Sequence, residues 1–185
     1  MKCEDLYKVA EACICLAFYE DAAILFKKYI EECNAKDPLA WHGLANALEE
    51  IKNEAYKEAY KKAYELYDQS SWSSCLWKGW CAMKLGKYEE AVRLFEKSVK
   101  YNDKYPYTLQ SLALALIKLG RKDDVDEVLR RFKEISKEIK YEDRICEGYA
   151  ELQSVKNFKE IDHIYRKAQA VAEKRCSKNT LDHAR

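Results

Sequence analysis

Leu85-Gly86-Lys87-Tyr88-Glu89-Glu90-Ala91-Val92 returns 34 residues later as Leu119-Gly120-Arg121-Lys122-Asp123-Asp124-Val125-Asp126. Each copy follows an apolar helical pattern and precedes another, so each marks the turn of a helix–turn–helix unit. Upstream, Phe18-Tyr19-Glu20-Asp21-Ala22-Ala23 stands where a third copy belongs, and Asn157-Phe158-Lys159-Glu160-Ile161 supplies one downstream. The second unit is the least regular, with Asn53-Glu54-Ala55-Tyr56 at its turn. A period near 34 with two helices per unit is a solenoid signature, because each unit can bury its apolar face only against its neighbours.

Local chemistry agrees with that period. Gly86 and Gly120 fall just past an apolar helix, where a left-handed residue satisfies the last carbonyls. Asp37-Pro38 and Tyr105-Pro106 open new helices, since proline at the first turn gives up only an amide that has no helical partner. Toward the C-terminal end, Ile161, Ile164, Tyr165, Ala168, Val171 and Ala172 form one apolar stripe, with Asp162, Arg166, Lys167, Glu173 and Lys174 elsewhere. Five glycines and two prolines in 185 residues leave little material for the turns of a many-stranded sheet. No alternating apolar run is bounded by hairpin dipeptides. The fold class is all-α.

These residues resemble the tetratricopeptide repeat family. Its units carry a Trp-x-x-Leu-Gly-type first helix, a Gly-x-Tyr turn, an alanine, an aromatic and a late proline. Gly79, Gly86, Tyr88, Ala91 and Phe95 fit that pattern in the third unit, although Cys75 and Lys78 replace the opening Trp and Leu. Trp41, Leu44, Ala45 and Leu48 fit the first helix of the second unit, and Leu109, Leu112, Ala113, Leu116 and Gly120 the fourth. Matches at Leu6, Val9, Ala10, Ala22 and Phe26 in the first unit, and less regular ones at Ile145, Leu152, Phe158, Ile161 and Tyr165 in the fifth, extend the likeness over nearly the whole chain. The resemblance implies a right-handed superhelical solenoid of about five repeats in one domain, residues 1–176. The repeats fall at about 3–35, 38–70, 72–104, 106–140 and 143–176, followed by a loose tail, 177–185. The polar outer stripe of the last helix is expected to cap the array.

Composition and motifs exclude several functions. Lys and Arg number 33 against 32 Asp and Glu, a balance that argues against a generic polyanion binder. No apolar run approaches the ~20 residues of a membrane span. The opening MKCEDLYKVAEA carries acids where a secretory signal needs a basic end, so a cytoplasmic location is expected. The eight cysteines include no CxxC pair and are expected to act as small buried apolar residues, not as metal ligands. His42, His163 and His183 are far apart, and no phosphate loop, nucleophile elbow or zinc-protease motif appears. Adjacent acids such as Glu49-Glu50 and Asp123-Asp124 diverge on a helix instead of sharing a proton. Neither catalysis nor a cofactor is expected.

By its resemblance the chain is a non-enzymatic scaffold or adaptor that binds an extended peptide or a partner helix in a concave groove lined by the first helices. Carried over register by register, the groove positions include His42, Asn46 and Glu49 in the second unit, Leu76, Trp77 and Trp80 in the third, and Tyr107, Gln110 and Leu114 in the fourth. Trp77, Trp80 and Tyr107 are candidate anchors, because aromatic side chains dominate binding hot spots. The chaperone-binding branch of the family clamps two carboxylates with a Lys-Asn-Asn-Lys-Arg set. Here only Asn46 matches, His42 stands where a Lys is needed, and Trp77, Tyr107 and Ser111 fill later places, so acidic chaperone tails are not expected partners. Two alternatives stay open: an RNA-binding, pentatricopeptide-like array, which the balanced charge disfavours, and self-association as a homodimer.

Overall fold

The computed structural model describes residues 2–136 and 162–175. Nine α-helices and no strand occur among them: α1 (Cys3–Cys15), α2 (Tyr19–Glu32), α3 (Pro38–Glu50), α4 (Tyr56–Leu66), α5 (Trp72–Lys84), α6 (Tyr88–Tyr101), α7 (Pro106–Lys118), α8 (Lys122–Ser136) and α9 (Asp162–Arg175). The fold is all-α, built of helix pairs in succession. The first helix of the expected fifth pair and the tail 177–185 lie outside the described residues.

Among the described residues, one motif ends the four first helices α1, α3, α5 and α7. Phe18, Asn53, Lys87 and Arg121 each donate their amide to the carbonyl five residues back, on Cys13, Leu48, Ala82 and Leu116, at 2.8, 2.8, 2.9 and 3.1 Å. The residue before each donates three residues back: Ala17 to Ile14, Lys52 to Glu49, Gly86 to Met83 and Gly120 to Ile117. This is the Schellman geometry, and it needs a left-handed residue. Gly86 (φ 76°) and Gly120 (φ 72°) adopt that conformation without strain, whereas Ala17 (φ 60°) and Lys52 (φ 57°) hold it against their Cβ atoms. The turn is therefore repeated at near-constant spacing even where the glycine is missing.

Helix starts are equally local. The Asp37 carboxylate accepts from the amides of Leu39 and Ala40 at 2.9 and 3.4 Å, capping α3. Ser71 Oγ accepts from Ser74 N at 3.2 Å and caps α5.

The chain divides into two compact units, one of Met1–Tyr56 with Tyr141–Arg185, the other of Lys57–Lys140. In the first unit, α1, α2 and α3 pack on one another around Leu6, Val9 and Phe26. The Tyr7 ring meets Phe26 and Tyr29 edge-on at 5.8 and 5.3 Å. Cys3 and Cys33 are joined by a disulfide with Cα atoms 5.8 Å apart, tying the start of α1 to the residue after α2. For these two cysteines the expectation of small buried apolar residues was wrong: Cys3 is exposed and Cys33 half-buried. Cys13, Cys75 and Cys81 are outside any disulfide and buried, as expected. Helix α9 also belongs to this unit, with Ile164 and Ala168 inside.

In the second unit, α5, α6, α7 and α8 pack in sequence, and α5 also touches α7. Its core gathers Leu76, Ala91, Leu94, Phe95, Leu109, Leu112, Leu116, Val125 and Val128. Ser98 Oγ, fully buried, donates to the Trp72 carbonyl at 2.7 Å and ties α6 to the start of α5.

Candidate protein-binding face

The second unit carries most of the expected groove positions. Leu76 does not belong among them. It is 1% exposed and sits in the core cluster with Phe95 and Leu109, because contact between α5 and α7 closes over that register. His42, in the first unit, is likewise buried, so its ring is not displayed as the sequence reading expected. Asn46 and Glu49, one and two turns further along α3, are half-buried.

What remains is a stripe on α7 with support from α5. Tyr107, Gln110, Leu114 and Ile117 recur at helical spacing along one face of α7. All are exposed, with Ile117 at 56%, Tyr107 at 42% and Leu114 at 39%. Lys118, next to Ile117, is exposed as well. On α5, Trp77 is half-buried, and Trp80 lies half-buried against the core with its ring edge-on to Phe95 at 6.3 Å. Trp80 is thus shared between packing and surface. Near the other end, the Trp72 and Tyr105 rings meet at a tilt with centroids 4.6 Å apart, and Tyr105 and Tyr107 likewise at 5.4 Å, so an aromatic row runs from the start of α5 to the start of α7.

The electrostatics are one-sided. Neither α5 nor α7 contains an acid, while Lys84 and Lys118 stand in their last turns. Both lysines are exposed, and both favour the negative helix C-termini. The unit's acids sit mainly on the second helices, as Glu89, Glu90 and Glu96 on α6 and Asp123, Asp124, Asp126 and Glu127 on α8. Lys84 Nζ stands 5.9 Å over the Tyr60 ring. Lys78 departs from the family pattern for a packing reason: its Nζ donates to the Tyr67 carbonyl at 2.6 Å and lies 4.7 Å over Tyr64. Burial and then the bonded Glu90 carboxylate push the Tyr64 phenol up to about 12, so it stays neutral.

Comparison with known proteins agrees with this architecture. Residues 72–105 match the family model described as Tetratricopeptide repeat. A crystal structure of MamA shares 12% identity over 98% of this chain and 89% of its own, with a TM-score of 0.55. YrrB, described as a TPR protein with an unusual peptide-binding site, shares 15% over 97% and 82%, with a TM-score of 0.52. The Podosopora anserina putative kinesin light chain, with nearly identical TPR-like repeats, shares 17% over 94% and 97%, with a TM-score of 0.54. No curated protein sequence matches the chain. The chain carries a tetratricopeptide repeat at α5–α6 and has the tetratricopeptide-repeat fold. Among the described residues no helix is long and apolar enough to cross a membrane.

Proposed function

We propose that the protein is a non-catalytic scaffold that holds a segment of a partner protein on the α5–α7 face of its second unit. The observation that carries this reading is the pairing of registers 34 residues apart. Trp80 with Leu114, Met83 with Ile117 and Lys84 with Lys118 repeat an apolar, apolar, basic order on two helices without acids. That order suits a segment presenting apolar side chains followed by an Asp or Glu toward the lysine end. Gln110 supplies an amide for the segment's main chain, and Tyr107 a flat anchor that loses little side-chain entropy. The balance of 33 Lys and Arg against 32 Asp and Glu disfavours RNA, which a basic excess would be needed to hold.

Panning a random peptide display library on the wild-type chain tests the reading, with counter-selection on the Leu114→Asp/Ile117→Asp variant. Enriched peptides should combine two or more apolar residues with an acid and should lose binding on the variant by at least about tenfold. Enrichment of basic peptides, or peptides indifferent to the variant, would remove the α5–α7 face from consideration.

A further inference from the structure

The α5–α7 face has two chemically different ends. Trp72, Tyr105 and Tyr107 line one, their ring planes tilted at 51° and 50°, so that no ring lies flat over its neighbour. Trp72 and Tyr105 are half-buried and Tyr107 is exposed. The row is held from behind. Ser98 Oγ bonds the Trp72 carbonyl at 2.7 Å, and Pro106 restricts Tyr105 to the extended backbone it adopts. Lys84 and Lys118 stand at the other end, in the last turns of two helices of 13 residues each. From the aromatic end to the lysine end is thus about 18 Å at the helical rise.

An accessible aromatic row can take a cation, a stacked base or a proline ring. A cation is disfavoured here, because α5 and α7 carry no acid and each ends in a lysine. A base is disfavoured by the charge balance of the chain, which leaves no basic excess for its phosphates. A proline ring needs no charge, and its backbone is already close to the polyproline II form, so docking orders little that was free. Such a chain advances about 3.1 Å per residue and covers the distance between the two ends in about six residues. On the reading that the α5–α7 face is the partner site, we infer that its partner is a polyproline II segment. The segment's proline packs on the Trp72–Tyr105–Tyr107 row, and an Asp or Glu about six residues away meets Lys84 and Lys118. Leu114 and Ile117, exposed between the two ends, contact the apolar residues that separate proline from acid.

Fluorescein-labelled peptides of one composition test the spacing by fluorescence polarisation on the wild-type chain. Each carries a Pro-Pro pair and a Glu-Glu pair, set about two, six or ten residues apart by apolar residues. The six-residue spacing should bind at least about tenfold tighter than the other two. Tyr107→Ala should weaken that peptide about tenfold, yet leave the weaker binding of its Pro→Ala counterpart unchanged. That coupling identifies the proline with the aromatic row, because a general loss of fold would weaken both peptides alike. Lys118→Glu should weaken the six-residue peptide and not its Glu→Gln counterpart. Affinity indifferent to spacing, or a Pro→Ala peptide that binds as well as its parent, would overturn the inference. If such peptides still lost binding on Leu114→Asp/Ile117→Asp, the α5–α7 face would stand as the partner site without it. Failure of every peptide to bind would overturn both.

Discussion

A Cβ atom placed on Gly79 would stand 2.6 Å from Cε1 of Phe95, closer than any real Cβ contact allows. A similar approach occurs between α3 and the preceding α2, where a Cβ on Gly43 would come within 2.4 Å of the Phe26 ring. In both repeats the first helix gives up a side chain so that the aromatic of a neighbouring second helix can fill the gap. Gly79→Ala should therefore destabilise by about 1–3 kcal/mol through overpacking, and Phe95→Ala by about 3–5 kcal/mol through a cavity. The Gly79→Ala/Phe95→Leu pair should cost less than the sum of its singles, read by urea denaturation. Additive costs would show that the two sites do not share this space.

The four Schellman turns differ only in their left-handed residue. Ala17→Gly and Lys52→Gly should each stabilise by roughly 0.5–1 kcal/mol, because glycine removes the strain of a positive φ. Gly86→Ala and Gly120→Ala should cost roughly 1–2 kcal/mol for backbone reasons alone, since nothing lies within 4 Å of a Cβ at either site. Melting temperatures of the four variants check the opposite signs.

Thr108 is fully buried, and its hydroxyl has no hydrogen-bond partner among the described residues. Thr108→Val keeps the shape and removes an unsatisfied polar group. The variant should be more stable by about 1 kcal/mol, measured by chemical denaturation.

The cysteines should separate by reactivity. Burial, as the largest cause, pushes the Cys13 and Cys81 thiols up to about 12, so iodoacetamide at pH 8 should leave both unmodified in the folded chain. Reducing Cys3–Cys33 opens a loop with a sequence separation of 30. Stability should fall by about 3–4 kcal/mol in the chain-entropy account. Thermal unfolding with and without reductant, alongside mass mapping of alkylated peptides, reads both effects. Rapid labelling of Cys81 would contradict its packing.

Acid should release α9. Burial raises the Asp21 carboxyl, but hydrogen bonds from Lys167 and His163, with their charges, more than offset it and hold the group below the usual carboxylate range. A depressed folded pKa contributes stability that is present above the unfolded value of about 3.9 and lost as pH falls through the folded value. Protection of the α9 amides, taken relative to the intrinsic exchange rate at each pH, should therefore fall below about pH 4. Asp21→Asn should flatten that dependence, and an unchanged profile would remove Asp21 as its source.

Much of this was legible in the chain itself. The 34-residue return at Leu85 and Leu119, the Asp37 and Ser71 caps and the small-against-aromatic pairing of Gly79 with Phe95 are local or nearest-neighbour features. Short-range sterics and hydrogen bonding write such features directly into residue type. The candidate face was legible in part. Tyr107, Gln110 and Leu114 lie on the surface where the register put them, because α7 keeps one face outside the core. Leu76 failed by the same register, since exposure depends on which helix lies across it. His42 also failed: its position on α3 names a face, but not how deeply that face is covered.

The sequence by itself determined the helices, their turns and the pairing of each with the next, because those follow from hydrogen bonds within a turn and from apolar periodicity along each helix. Only the tertiary structure decided that Cys3 meets Cys33 and that Lys167 and His163 converge on Asp21. Residues separated by 30 and by more than 140 positions leave no periodic signal. Their meeting is set by how packed helices bring distant surfaces together, and no local propensity encodes that.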